Sequence, residues 1–289
     1  MTIETYTLEV PGGTLVYDVR VPLPPPGGLR PLLMVGHPMG SGGFAALASC
    51  FPDRTVVTYD PRGIERSEVP DAEHTPTVNA EDVHRVVEAI GGGPVDLFGS
   101  SGGAVTGLEL VAKYPGDVAV LVAHEPPVLE VLPDADNARE AFRRVSAAYH
   151  QNGFGAGMAM FIAMTSVEGE LTTDLLARPA PDPAAFGLPT ADDGSRESVL
   201  LSGVSDPVTD FHLAVEVLHQ APSRIVLAAG VESRNLVPGR AAAGIAEALG
   251  TELVMFPSHH GGFNGGDGPY AGQPEAFAAR LREALAAAG

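Results

Sequence analysis

The feature that most constrains this chain is a serine held between glycines where a predicted strand meets a predicted helix. Residues 99–103 read Gly-Ser-Ser-Gly-Gly, which fits the pattern Gly-x-Ser-x-Gly with Ser101 as the central serine. An apolar run at 94–98 enters this segment and a helix-like run at 104–114 leaves it. In such a turn the serine is held in strained backbone geometry, with its hydroxyl exposed above the N-terminus of the helix. The pattern therefore predicts that Ser101 is a nucleophile.

The composition is that of a globular chain with a strongly negative charge. The sequence has 289 residues, 45% of them hydrophobic, and its formal net charge at pH 7 is −19. This length and this apolar content are enough for one large domain with a sizeable core. A surface this negative argues against nucleic acid and against an anionic membrane as partners.

Signals for export or membrane insertion are not visible in the sequence. Cys50 is the single cysteine, so neither a disulfide framework nor a Cys-x-x-Cys motif is expected. Residues 1–5 lack the basic and apolar regions of a signal peptide, and we find no apolar stretch of roughly 18 residues. We therefore expect a cytoplasmic protein.

Apolar runs alternate with helical patterns along most of the chain. Strands are expected at residues 2–10, 14–21, 31–35, 55–59, 95–98, 118–123, 224–229 and 252–256. Helices are expected at 41–49, 79–90 (capped by Thr77 or Asn79), 104–114, 241–249 and 276–288, with a proline-rich connection at 22–28. Continuous apolar strands separated by helices predict an α/β fold with a mostly parallel sheet flanked by helices on both faces.

This alternation stops between Glu130 and Pro222. The segment has helix-like runs at 138–151, 155–165 and 209–220, a loop at 177–194 rich in Pro, Ala and Asp, and no convincing strand. We interpret residues 130–222 as an inserted helical cap on a core formed by residues 1–129 and 223–289.

A serine hydroxyl is a weak nucleophile and needs a base. His260 follows the last predicted strand, and a histidine near the C-terminus is what a strand–serine–helix turn of this kind requires. Its neighbour His259 is the alternative. No second cluster of ligands accompanies the two histidines, so we expect neither a metal nor a cofactor.

The base in turn needs a carboxylate that holds its tautomer. Glu125 follows the predicted strand at 118–123, and Glu232 follows the one at 224–229. Both lie at the carboxyl ends of strands, where open α/β sheets place their sites. The residues alone leave both alternatives open.

Backbone N–H groups are expected to stabilise the oxyanion of a tetrahedral intermediate. Gly102, directly after the nucleophile, supplies one such group. The second is expected from the loop at 35–41, where Pro38 has no N–H to donate. His37 and Met39 remain, and we favour His37.

Taken together, these motifs resemble those of the α/β-hydrolase superfamily. Val-Gly-His-Pro at 35–38 resembles the family's His-Gly-x-Pro loop, with Val35 in the histidine position. Asp-Pro-Arg-Gly-Ile-Glu-Arg-Ser at 60–67 resembles its Asp-x-Arg-Gly-x-Gly-x-Ser turn, with Glu65 in a glycine position. The resemblance runs over the whole core and implies the α/β-hydrolase fold.

Within the superfamily, one branch is more similar than the rest. Residues 98–102, 114–117 and 124–127 are similar to the zearalenone-lactonase-type hydrolases, which open a resorcylic macrolactone. Their acid is a glutamate in a Cys/His-Glu-x-Pro context that Glu125 matches, so the resemblance favours Glu125 over Glu232. The usual superfamily acid, in Gly-x-x-Asp after the penultimate strand, is met only loosely, with Ser233 in the Asp position.

Apolar side chains are expected to form the substrate pocket. The residues we predict for it are Met39, Leu129, Leu132, Met158, Phe161 and Met164. Thioethers and aromatic rings fit irregular apolar ligands, although the run at 158–164 is equally typical of a packed helix.

The predicted function is hydrolysis of a small apolar ester or lactone by a Ser101–His260–Glu125 triad. The alternatives on the same triad are a cofactor-free haloperoxidase or perhydrolase, a thioesterase, or a C–C bond hydrolase. A receptor-like pseudoenzyme that binds a ligand without turnover is an alternative of another class. The oligomeric state stays open, with a homodimer among the expectations.

Overall fold

The computed structural model of the protein describes residues 2–22, 28–268 and 270–286. The strands in these residues are β1 (Thr2–Val10), β2 (Gly13–Val21), β3 (Leu32–Val35), β4 (Val56–Asp60), β5 (Val95–Ser100), β6 (Val118–His124), β7 (Arg224–Gly230) and β8 (Val254–Phe256). They form one eight-stranded sheet in the order β1-β2-β4-β3-β5-β6-β7-β8. β1, β2 and β4 pair antiparallel and the remaining pairs are parallel, which confirms the predicted mostly parallel sheet.

Helices cover this sheet and fill the long connection between β6 and β7. The α-helices are α1 (Ala45–Ser49), α2 (Pro76–Ala89), α3 (Gly102–Lys113), α4 (Ala135–Thr165), α5 (Thr173–Leu176), α6 (Asp206–Thr209), α7 (Val215–Gln220), α8 (Val237–Ala248) and α9 (Pro274–Ala286). Single 3₁₀ turns lie at Ser41–Phe44, Leu129–Val131 and Pro183–Phe186. None of the helices in the described residues is long and apolar enough to cross a membrane.

Helix α2 begins earlier than the sequence pattern predicted. The side chain of Thr75 accepts a hydrogen bond from the Val78 N–H, so Thr75 is the N-cap and the prediction of Thr77 or Asn79 is wrong. Pro76 occupies the first turn, where its fixed φ suits a helix and its missing N–H has no intrahelical partner to lose.

The connection between β6 and β7 also differs from prediction in its helix boundaries. The two helices expected at 138–151 and 155–165 are both present as the two halves of α4, which separate at Gly153, where the φ of 83° is not helical; the first half begins earlier than predicted, at Ala135. The single helix expected at 209–220 is wrong. The chain leaves the helix after α6 because the Leu213 N–H and the His212 ring both bond to the carboxylate of Glu130, and it resumes as α7.

Two expected segments reach beyond the residues that the structure describes. Positions 23–27 of the proline-rich connection and positions 287–288 of the C-terminal helix lie outside them.

The two faces of the sheet bury separate hydrophobic clusters. On β5, Leu97 contributes to the cluster beneath α2, α3 and α8, whereas Phe98 contributes to the cluster beneath α1 and α9. Successive side chains of a strand point to opposite faces, so one buried strand supplies both clusters. The second cluster contains a group of phenylalanine rings in which Phe277 of α9 contacts Phe98 and Phe256, with ring centroids 5.5 and 4.7 Å away.

The parallel strands bring their carboxyl ends to one edge of the sheet. Ser100 of β5 pairs with His124 of β6, His124 pairs with Ala228 of β7, and Gly230 of β7 pairs with Phe256 of β8. The residues that follow these strand ends are therefore neighbours in space although they are far apart in sequence.

The phenylalanine cluster gives a test of what holds the helices to the sheet. Phe277 is fully buried, so Phe277→Ala is expected to lower the free energy of unfolding by about 3–5 kcal/mol, through lost burial and a residual cavity. Phe186→Ala is the matched control, because Phe186 is 39% exposed and its loss should cost about 0.5 kcal/mol or less. Urea denaturation of both variants measures this. If both substitutions lowered the free energy of unfolding equally, the stabilising role assigned to the phenylalanine cluster would be contradicted.

Candidate active site

Ser101 lies on the turn between β5 and α3 in a backbone conformation that non-glycine residues rarely adopt. Its φ is 55° and its ψ is −126°. The Ser101 N–H donates to the carbonyl of His124, at 2.9 Å, which ties the turn to the neighbouring strand β6. Strain of this kind persists only where the surrounding structure imposes it, and it is concentrated at functional sites.

The glycines of the turn are required by close backbone approach. A Cβ atom on Gly103 would lie 2.1 Å from the carbonyl oxygen of Val35 on β3. A Cβ atom on Gly99 would lie 2.6 Å from the carbonyl oxygen of Gly103. Helix α3 can therefore start directly against β3 only because these positions lack side chains.

Glu125 and His260 form a hydrogen-bonded pair beside this turn. Nδ1 of His260 lies 2.5 Å from Oε2 of Glu125, so the ring donates to the carboxylate. The Glu125 side chain is fully buried, whereas that of His260 is 42% exposed. The exposed part of the imidazole is free to meet a substrate, while the carboxylate fixes its orientation.

The second oxygen of Glu125 is held by β7 and by the turn that follows it. Oε1 accepts the Gly230 N–H at 2.8 Å and the hydroxyl of Ser233. Sequence reasoning did not assign this role to Ser233. The available signal was that Ser233 stands where the superfamily pattern places its usual aspartate, so a serine there holds a carboxylate supplied from β6 instead.

The environment of Glu125 keeps it ionised. Burial raises the pKa of this carboxyl, but the hydrogen bond from His260 outweighs it together with neighbouring charges and the Ser233 hydroxyl, and the pKa falls to about 2. Hydrogen bonds to the charged form favour that form. Glu125 is therefore a carboxylate at neutral pH and stabilises positive charge on His260.

The two alternative residues lie elsewhere. Glu232 is exposed at the surface, and the structure brings Glu125, not Glu232, to His260. His259 uses both ring nitrogens within its own loop, because Nδ1 accepts the Gly261 N–H and Nε2 lies 3.3 Å from the carbonyl of Ala271.

A buried histidine, His124, lies behind the pair; the sequence placed it in the motif at 124–127 without assigning it a role of its own. It is fully buried among phenylalanine rings, and its ring centroid is 6.1 Å from that of His260. Neither ring nitrogen has a hydrogen-bond partner in the described residues. Burial lowers its pKa to about 4, so His124 is neutral at pH 7.

His37 lies against the start of α3. A Cβ on Gly102 would be 2.8 Å from the carbonyl oxygen of His37, so the two backbones are in close contact beside Ser101. Nε2 of His37 lies 3.2 Å from Nδ1 of His74. Burial, together with the nearby His74, lowers the pKa of His37 to about 3 and keeps its ring neutral. Met39 instead packs its side chain against the cluster beneath α1 and α9.

An ionic network holds the loop after β3 in place. The carboxylate of Asp60, at the end of β4, accepts the Ser41 N–H at 2.8 Å and Nε of Arg66 at 2.6 Å. Two residues on, Arg62 forms a two-bond ion pair with Asp82 of α2, both bonds 2.8 Å long. The Asp60 carboxylate thus connects the turn at 60–67 to Ser41, at the end of the loop that carries His37, and the Arg62–Asp82 pair connects the same turn to α2.

Ser101 and His260 line one cavity, which lies between the sheet edge and the segment that connects β6 and β7. Its volume is about 650 Å³ with the open mouth included. Its lining residues are His37, Pro38, Ser101, Gly102, Pro127, Phe142, Phe161, Thr165, Leu200, Ser205, Asp206, Val208, Thr209, Val237, Pro238 and His260. No group of three or more His, Cys, Asp or Glu side chains in the described ranges could hold a metal ion.

Only one of the six side chains predicted for the pocket, Phe161, lines this cavity. For the others the structure corrects the prediction, because they fill hydrophobic clusters. Leu129 and Leu132 are buried in a cluster that Met164 packs against, Met158 packs against the cluster around Tyr149, and Met39 packs against the cluster beneath α1 and α9. Hydrophobicity and spacing do not distinguish a residue that lines a cavity from one that fills the core.

A comparison with known families decides the assignment of the chain. A family model described as "alpha/beta hydrolase fold" matches residues 32–201. The chain belongs to the α/β-hydrolase family. This confirms the superfamily that the motifs predicted.

Individual relatives span nearly the whole chain. An uncharacterised hydrolase of Bacillus subtilis, YraK, is 31% identical and covers 91% of this chain and 92% of its own length. A thermophilic esterase from Thermogutta terrifontis superimposes with a TM-score of 0.63 at 20% identity, covering 99% of this chain and 98% of its own. The enol-lactonase from Burkholderia xenovorans superimposes with a TM-score of 0.62 at 15% identity, covering 98% of this chain and 100% of its own.

The low pKa of Glu125 predicts a pH-dependent contribution to stability. Its folded-state pKa of about 2 lies below its ordinary value of 4.5, so its ionised form stabilises the fold above about pH 4.5. That contribution is lost as the pH falls toward 2. We expect the urea midpoint of the wild type to exceed that of Glu125→Gln at neutral pH, and this advantage to shrink as the pH falls from about 4.5 toward 2.

Glu232→Gln is the matched control for this titration. Since Glu232 is exposed, the difference in urea midpoint between wild type and Glu232→Gln should not shrink in acid. If the urea midpoint of the wild type exceeds that of Glu125→Gln by the same amount down to pH 3, the strong interactions assigned to the buried carboxylate are contradicted.

Proposed function

We propose that this protein is a serine hydrolase that cleaves carboxylic esters or lactones through an acyl-enzyme. The observation that carries the proposal is the joint placement of a strained Ser101 and a carboxylate-bound His260 at one cavity. The names of the esterase and the enol-lactonase among the structural neighbours support the same reaction class.

In the first half of the proposed reaction, Ser101 attacks the carbonyl carbon of the ester. Nε2 of His260 takes the serine proton, and Glu125 holds the opposite ring N–H and stabilises the imidazolium. The described residues contain no hydrogen bond between Ser101 and His260, and such contacts commonly tighten only when substrate is bound. The oxyanion is proposed to accept hydrogen bonds from the N–H groups of Gly102 and His37, two residues whose backbones are in close contact beside Ser101.

In the second half, the intermediate collapses and His260 returns the proton to the departing alcohol. Water then attacks the acyl group as His260 takes its proton, and His260 gives that proton to the Ser101 oxygen as the carboxylic acid leaves. Bonds and protons balance without a cofactor.

The walls of the cavity favour a substrate that is apolar around the reacting carbonyl. Phe142, Phe161, Leu200 and Val208 supply apolar surface, and the three prolines add rigid walls. Within this class we propose a resorcylic macrolactone such as zearalenone as the first specific substrate to test, on the resemblance of residues 124–127 alone.

Kinetics of three variants test the triad. Ser101→Ala is expected to lower kcat on aryl esters by about 10⁴-fold or more, and Glu125→Gln by about 10³–10⁴-fold, because the imidazole loses its anionic partner. Glu232→Gln, which alters an exposed carboxylate, should stay within about twofold of wild type. The measurement is initial-rate hydrolysis of a panel of aryl esters and macrolactones, zearalenone included.

A serine-reactive fluorophosphonate separates the outcomes. Labelling of Ser101 without turnover of any panel member would retain the nucleophile and reject the substrate class. A protein that neither labels nor turns over would reject the proposed hydrolase. A large loss in Glu232→Gln with none in Glu125→Gln would overturn the assignment of the acid.

A further inference from the structure

The end of the cavity formed by the cap carries a carboxyl group that the proposed reaction does not use. Four residues at one turn of α6 line the cavity: Ser205, Asp206, Val208 and Thr209. Their spacing places them on one face of that turn. Apart from the reacting residues, the rest of the lining is mostly apolar. A polar group at this end is therefore surrounded by apolar side chains.

Several acidic residues between β6 and β7 have a charged partner, whereas Asp206 has none in the described residues. Asp210 pairs with Arg139, Glu130 binds His212, and Asp192 pairs with Arg196. The described residues give the Asp206 carboxylate neither an ion pair nor a side-chain hydrogen bond, and it is only partly exposed. Burial raises its pKa, as does the nearby Asp210. A partly buried carboxyl without a partner costs stability, and a bound donor would relieve that cost.

The neighbouring polar groups leave the carboxylate as the free acceptor. Thr209 uses its hydroxyl on the carbonyl of Asp206, and Thr165 uses its own on the carbonyl of Phe161. The hydroxyl of Ser205 is buried and has no hydrogen-bond partner in the described part of the chain. Two unsatisfied polar groups therefore adjoin at the same end of the cavity.

The charges of the lining determine which substrates this end accepts. No lysine or arginine is among the lining residues, and the ring of His37 is neutral. A substrate carboxylate would find no cation there and would face Asp206. A hydroxyl or protonated amine would donate to it.

We propose that Asp206 is a specificity-determining residue that selects esters or lactones carrying a hydrogen-bond donor away from the reacting carbonyl. This inference rests on the proposed function, since it assumes that the cavity at Ser101 holds the substrate. It narrows the substrate class from any apolar ester to one with a hydroxyl or amino group at its remote end.

Matched aryl esters test the proposal directly. The esters have equal chain length and end in a methyl, a hydroxyl, an amino or a carboxylate group, placed on the acyl side in one series and on the alcohol side in another. For one of the two series we expect wild type to prefer the hydroxyl or amino ester over the methyl ester by about 10-fold or more in kcat/KM, and to disfavour the carboxylate. Asp206→Leu should bring the ratio of the kcat/KM values for the hydroxyl and methyl esters close to one.

Two further variants keep this result interpretable. Asp206→Asn retains a hydrogen-bond acceptor and should keep part of the hydroxyl preference while losing the amino preference. Asp210→Asn removes a carboxylate one turn away that does not line the cavity, and should leave the ratios within about twofold. Thermal melts establish that each variant is folded. If Asp206→Leu does not fold, the test rests on Asp206→Asn: loss of its preference for the amino ester supports the role of Asp206, and an unchanged preference rejects it.

Binding to Ser101→Ala tests the same inference without turnover. Calorimetry with the corresponding non-hydrolysable amides should show tighter binding of the donor-bearing members, and Asp206→Leu in the same background should abolish the difference. The proposal would be overturned if the kcat/KM ratio of hydroxyl to methyl ester were the same in wild type and Asp206→Leu. It would also be overturned if the amides with and without a donor bound equally well. Failure of Ser101 to react with a fluorophosphonate would instead overturn the proposed hydrolase, and the amide binding would still decide the role of Asp206.

Discussion

A single buried carboxylate joins the strand ends on which the site is built. Glu125 follows β6, accepts the Gly230 N–H at the end of β7 and the Ser233 hydroxyl just beyond it, and binds His260 after β8. Burying one charge without partners is strongly unfavourable, so each of these contacts is needed if the carboxylate is to stay ionised. The same bonds that satisfy the charge also orient the imidazole, so the local fold and the proposed chemistry depend on one set of interactions.

The sheet and the connection between β6 and β7 make different contributions to the site. The strands are packed on both faces, and the turn at Ser101 is held by backbone contacts too close for a side chain at Gly103. The proposed nucleophile therefore sits on a rigid turn, which suits catalysis that depends on preorganised geometry. The connection between β6 and β7 supplies most of the cavity wall instead, including the unpartnered carboxyl of Asp206. We thus assign the proposed reaction to residues at the ends of the strands, and the proposed substrate preference to the connection between β6 and β7.

Prediction from sequence succeeded where local pattern and physical requirement coincide. The alternation of apolar strands and helices predicted the sheet, because buried parallel strands need continuous apolar runs. The glycines around Ser101 predicted the turn, because only glycine permits that approach. Prediction failed for the helix at 209–220, where a long-range contact with Glu130 interrupts a segment of helical character. It failed also for five pocket residues, since an apolar side chain gives no local sign of whether its neighbour is another side chain or open space.

The sequence by itself determined the family, the strained serine and the two candidate acids at strand ends. These follow from short motifs and from the rule that parallel strands deliver their carboxyl ends to one edge. Only the tertiary structure decided that Glu125 rather than Glu232 meets His260, and that Ser233 holds the second carboxylate oxygen. It also decided which face of α6 lines the cavity. The physical reason is that these contacts join residues more than a hundred positions apart or depend on side-chain direction, and neither is encoded in local spacing.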